Sequence, residues 1–159
     1  KKFSLQSFEH QKVLVVMFIC VHCPYVKAIE DRLIELANSY KNQPVQFVAI
    51  CSNDASDYPE DRPENILKHW KQKNYPFPYL IDDSQQIAKD YGAVCTPDIY
   101  TYGFDRKLAY HGRLDDNWKD VRQVKSQELK NAIDDLLNDQ QPDEVQYPSM
   151  GCSIKWKKA

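Results

Sequence analysis

Residues 12–28 read KVLVVMFICVHCPYVKA, and inside them a strand-like pattern gives way to a helical one. The first part, KVLVVMFIC, is a run of β-branched and other apolar residues with no polar alternation. Such a run suits a strand buried on both faces, as at the centre of an α/β sheet. From Pro24 onward, Val26, Ile29, Leu33, Leu36, Ala37 and Tyr40 share one face of a 3.6-residue period, which predicts an amphipathic helix over 24–40. Pro24 belongs in its first turn, where a missing N–H costs nothing. Cys20 and Cys23 stand at the junction.

The alternation continues on either side of a polar stretch. Residues 45–51, VQFVAIC, predict a second buried strand, and residues 52–61, SNDASDYPED, an exposed loop. Asp61 with Glu64 resembles a capping box that opens a short helix carrying Ile66, Leu67 and Trp70. A short strand YLI follows, then a helix over 84–91 stopped by Gly92. DIYTYGF and KLAYHG form a hairpin around Asp105 and Arg106. Leu129, Ile133, Leu136 and Leu137 mark a last helix over 126–138, and an irregular tail runs from about 139. The order β-α-β-α-β-α-β-β-α defines the α/β class, with parallel crossovers first and antiparallel strands last. A length of 159 residues fits one domain.

Composition narrows the function. Lysine and arginine number 21 against 23 aspartate and glutamate, so there is no basic excess to suggest a nucleic-acid partner. The longest apolar run, Val13 to Val21, falls short of the roughly 20 residues of a membrane helix. No membrane partner is therefore expected. No Asn-x-Ser/Thr sequon occurs, and His22-Cys23-Pro24 follows the apolar run where a signal peptide would have small residues. A cytoplasmic location is expected, although the chain opens on Lys1, which leaves open a targeting segment ahead of it.

Cysteines occur at 20, 23, 51, 95 and 152, an odd number that makes a poor disulfide framework. The one close pair is Cys20 and Cys23, a spacing that without a secretion signal points to redox or metal chemistry. Metal ligation by Cys20, His22 and Cys23 would need a further ligand and convergence at a helix start, so no metal or other cofactor is expected. A cysteine at a helix N-terminus faces unpaired N–H groups and the positive end of the dipole. Thiols so placed have pKa values of about 3.5–7.5, against about 8.5 when free. Cys20 is accordingly expected to be the attacking thiolate and the more exposed sulfur. Cys23, a turn deeper, would close a disulfide with it and release any partner held as a mixed disulfide. His22 would modulate the pair: protonated, or donating a hydrogen bond, it would lower the Cys20 pKa further. Cys51 and Cys152 read as packed residues. The acidic residues Asp54, Asp57, Glu60 and Asp61 lack EF-hand spacing and read as a solvated loop. Tyr25, Trp70 and Trp118 read as aromatic core, with a rim of the site as the alternative.

FICVHCPYVKA, VAICSNDASDYPEDRPEN, YGAVCTPDIYTY and GCSIKWK, in that order, resemble the peroxiredoxin-like subgroup of the thioredoxin superfamily (redoxin, thiol-disulfide isomerase/thioredoxin). The resemblance spans about residues 3 to 157. It implies a thioredoxin-like fold, a central mixed sheet flanked by helices, and thiol–disulfide oxidoreductase activity with Cys20 and Cys23 as the catalytic pair. It implies that Pro97 is a cis-proline beside that pair, and that the Thr96 backbone binds an extended substrate segment. Cys95 would then lie close to Cys20, either as packing or as a third thiol that shuffles disulfides or resists over-oxidation. The implied partners are protein or small-molecule disulfides and thiols, together with a thiol reductant or oxidant.

Two departures stand out. Val21-His22 replaces the Gly-Pro of thioredoxins, and Leu14 stands where they hold a buried proton-handling aspartate. A peroxiredoxin-type peroxidase is the first alternative, but Val13 and Met17 occupy the positions of its proline and hydroxyl residue. A non-catalytic thioredoxin-fold binding module is the other.

Overall fold

The computed structural model describes residues 1–159. Strand β1 (Val13–Phe18) lies at the centre of a five-stranded sheet. On one side it pairs in parallel with β2 (Val45–Cys51), which pairs in parallel with β3 (Tyr79–Ile81). On the other side it pairs antiparallel with β5 (Asp98–Tyr102), which continues antiparallel to β6 (Leu108–Gly112). The order β3-β2-β1-β5-β6 makes the sheet mixed.

The unbroken apolar character of β1 follows from its position. Side chains alternate across a strand, and here both faces meet a core. Val13, Val15 and Met17 join the larger core with Leu33 and Leu36 of α1 (Pro24–Ser39) and Leu129 and Ile133 of α4 (Glu128–Leu137). Leu14, Val16 and Phe18 face the opposite core with Tyr100, Ile154 and Ala88 of α3 (Gln86–Tyr91). Gly92 ends α3 at φ 73°, a left-handed conformation that suits glycine.

Helix α2 (Pro63–Lys73) differs from expectation at its start. Arg62 is its N-cap, and no side chain caps it. Asp61 is not a capping residue and not a solvated one; it is buried and turned inward. The chain also forms two short strands without a periodic signature, β4 (Cys95–Thr96) and β7 (Cys152–Ser153), which pair antiparallel. Residues from 139 on are mostly irregular and exposed, and are held at a few points. Gly112 lets the tail pass: a Cβ there would lie 2.4 Å from Tyr147 O. The Gln85 side chain donates to Ser52 O (2.8 Å) and Lys155 O (2.9 Å) and accepts from Lys157 N (2.9 Å).

Candidate active site

The site forms where β1 ends and α1 begins. Pro24 is the first residue of α1, which makes Cys23 the N-cap rather than a residue inside the helix. Cys20 precedes it by a three-residue turn. All five cysteines are free thiols, and both members of the pair are buried, Cys20 at 2% exposure and Cys23 at 0%.

Across from the pair lies β4, followed by a cis Thr96–Pro97 peptide bond. Cys20 Sγ is 3.5 Å from Thr96 Oγ1, and Cys23 Sγ is 3.4 Å from Thr96 O. The resemblance placed Thr96 and Pro97 beside the cysteines, and the fold brings them together there. Cys95 does not join them. It neighbours Thr96 on an extended strand and points away from it, and its Sγ approaches Pro97 O at 3.9 Å.

The sulfur that does meet the pair is Cys152, 2.9 Å from Cys23 Sγ. Its strand β7 pairs with β4 in the register Thr96↔Cys152 and Cys95↔Ser153. The backbone of Thr96, expected to be open to a substrate segment, is therefore engaged by the chain's own tail. Gly151 permits the approach, since a Cβ at that position would sit 2.3 Å from Thr96 O.

Proton sharing follows the donors around each sulfur. Cys20 hydrogen-bonds Cys23, is buried, and lies near the Asp61 carboxylate, so its thiol is held well above the ordinary range. Cys23 receives that bond, together with the Cys152 thiol and the Val26 backbone N–H, so its thiol is held below the ordinary range. Cys20 first, then the Cys152 thiol and the Val26 N–H, thus favour the thiolate on Cys23, whereas the helix-start position predicts it on Cys20. As N-cap, Cys23 also faces the Val26 N–H of the first turn, while Cys20 faces the Asp61 carboxylate. Burial, then its bond to Cys23, pushes the Cys152 thiol up to about 11.

Asp61 is the residue whose role the sequence left unread. Its Oδ1 accepts from Val21 N (2.7 Å) and His22 N (3.2 Å), and its Oδ2 meets His22 Nδ1 (2.5 Å) and Asn53 Nδ2 (3.0 Å). It therefore clamps the turn between the cysteines and orients His22, which also stacks on Tyr58 at 4.3 Å. Donor atoms of Cys20, His22 and Asp61 lie within 4.8 Å of one another, close enough to hold a cation. Both Asp61 oxygens are already engaged by N–H and ring-nitrogen groups, however, and the cluster is self-satisfied. A surface signal for Asp61 was absent, because a buried acid in a polar loop looks like its solvated neighbours until the loop folds over a backbone turn.

Beside Pro97, Tyr25 and Trp118 pack at 4.4 Å and line a cavity of about 250 Å³ with Arg113 and Met150. Trp70 lies elsewhere, its indole N–H bound to Phe77 O at 2.7 Å.

A dithiol at a strand–helix junction, facing a cis-proline loop on a mixed sheet, defines a protein of the thioredoxin-like class. The chain matches the Redoxin family model over residues 1–128 and belongs to that family. It is similar to an uncharacterized conserved protein of Geobacillus kaustophilus, with 46% identity, TM-score 0.91, and coverage of 98% of this chain and 82% of that one. It is also similar to a hypothetical protein of Sinorhizobium meliloti, with 40% identity, TM-score 0.94, and coverage of 99% and 86%. A secreted Mycobacterium tuberculosis disulfide oxidoreductase shares the fold at 22% identity and TM-score 0.55, covering 67% of this chain and 72% of that one. No curated protein matches the chain.

Proposed function

We propose that this redoxin is a thiol–disulfide oxidoreductase working through Cys20 and Cys23. The observation that carries the reading is geometric: two buried thiols at a helix N-terminus both face Thr96, Cys20 Sγ at 3.5 Å from its Oγ1 and Cys23 Sγ at 3.4 Å from its carbonyl oxygen. Cys20 attacks one sulfur of a substrate disulfide, and its proton passes to the neighbouring Cys23 thiolate. One S–S bond breaks, a Cys20–substrate bond forms, and the departing thiolate takes the proton from Cys23. Cys23, again a thiolate, then attacks Cys20 Sγ. The Cys20–Cys23 disulfide forms, the second substrate sulfur leaves as a thiolate and picks up a proton from water, and two electrons have moved to the substrate. Run backwards, the same steps oxidise a dithiol. Asp61 holds the turn that sets the two sulfurs together, and His22 is held beside them.

The test is turnover of oxidised glutathione with a thiol reductant, in the wild type and in Cys20→Ser and Cys23→Ser. Cys20→Ser is expected to lose exchange, and Cys23→Ser to stall as a mixed disulfide on Cys20 that non-reducing mass spectrometry detects. Full exchange in both variants overturns the reading. Hydrogen peroxide is expected to react slowly, because Met17 stands where a peroxiredoxin holds the hydroxyl residue that positions the peroxide. Rapid peroxide consumption favours the peroxidase instead.

A further inference from the structure

Three sulfurs, not two, converge at this site. Cys20 and Cys23 both meet Thr96, at 3.5 and 3.4 Å, and Cys152 lies 2.9 Å from Cys23. That separation is within about 1 Å of a disulfide bond length. The approach is built. Strand β7 is registered on β4 so that Cys152 pairs opposite Thr96. Gly151 removes the Cβ that would collide with Thr96 O. Ile154 N bonds Val94 O at 2.9 Å, and Asn53 Oδ1 accepts from Lys155 N at 2.9 Å. Of the three, Cys152 alone is partly exposed.

We propose that Cys152 is a third redox thiol of the site and exchanges disulfides with Cys23, an inference that rests on the oxidoreductase reading. When Cys20 and Cys23 are joined, Cys152 attacks Cys23 Sγ. The Cys20–Cys23 bond breaks and a Cys23–Cys152 bond forms. The electron pair of the broken bond leaves on Cys20, which takes up the proton that Cys152 gives up. No external oxidant or reductant is consumed. In the reduced site Cys152 holds its proton partly by donating to the Cys23 thiolate, and that partner disappears once Cys23 enters a disulfide. The exchange frees Cys20 to react again and moves the oxidised bond to the sulfur nearest solvent.

Trypsin makes the two disulfides distinguishable, because Cys20 and Cys23 share the fragment 13–27 while Cys152 lies in 131–155. The full-length reduced protein is equilibrated in glutathione buffer, quenched with acid, alkylated, digested and weighed without reduction. The expected result is a linked 13–27/131–155 pair in the wild type, and the same link as the main intramolecular disulfide in Cys20→Ser. Cys20→Ser with Cys152→Ser is expected to lack it. Gly151→Val, which touches no sulfur, is expected to lower the link roughly tenfold or more while the internal 13–27 disulfide still forms. A wild type and Cys20→Ser that never show the link, while the 13–27 disulfide forms and turnover proceeds, overturn the role of Cys152 and leave the oxidoreductase reading standing. Absence of both disulfides and of turnover overturns both.

Discussion

At the scale of single residues, the pair at 20 and 23 behaves as one acid that gives up its first proton easily and its second with difficulty. A titration of thiolate ultraviolet absorbance is therefore expected to show one cysteine ionising below the ordinary range and Cys20 above it. Cys23→Ser is expected to remove the lower step. Asp61→Ala takes a buried negative charge away from Cys20, so the upper step is expected to move down in pH. The same change strands the Val21 and His22 backbone N–H groups, and a loss of about 1–3 kcal/mol is expected from urea midpoints at unchanged m-value. The two cysteines were legible because a close pair between a strand run and a helix run carries its own context. Asp61 and Cys152 were not. Each reaches the site only through a fold-back of chain, and neither has a partner at a sequence spacing that a reader could count.

At the scale of elements, the long ones declared themselves. β1, α1 and β2 fall where the apolar run and the 3.6-residue period put them, and helix ends differ by a residue or two as helix ends do. β4 and β7 are two residues each. Two residues have no period, and their pairing is dictated by Gly151 and by the Gln85 amide rather than by any local preference. Gln85 is 3% exposed, and its side chain bonds three backbone groups on two segments. Gln85→Ala is expected to cut amide hydrogen-exchange protection over 152–157 while β1 keeps its own, since the strand is held by two cores and the tail by a few hydrogen bonds. Loss of protection throughout the molecule would show that the tail is not a separate unit.

The whole molecule carries an imbalance of buried acids. Cys20 is held above the ordinary thiol range, Cys51 is pushed up to about 12, and Cys95 and Cys152 to about 11, with burial the main cause for the last three. Cys23 alone is held down. Above a pH of about 8.5 the unfolded chain releases thiol protons that the folded chain keeps, so stability falls as pH rises. Cys23 works the other way: its contribution is complete above about 8.5 and is lost as pH falls through its depressed folded value. Buried Tyr40, Tyr75, Tyr79, Tyr100 and Tyr110, all raised by burial, add to the alkaline loss from about pH 10. Reduced protein is therefore expected to show urea midpoints that decline steadily between about pH 8.5 and 10.5. A flat profile there would contradict this balance.

The two sulfurs that touch at 2.9 Å, Cys23 and Cys152, are 129 residues apart along the chain. A bond between them would turn most of the polypeptide into a ring. On chain-entropy grounds such a ring takes about 5 kcal/mol of freedom from the unfolded state, whereas a ring closed between Cys20 and Cys23 takes only about 2. Where the oxidised bond sits would then set how hard the molecule is to unfold. Melting would report the position of the bond directly: oxidised Cys20→Ser should melt well above its own reduced form, by a wider margin than oxidation gives Cys152→Ser.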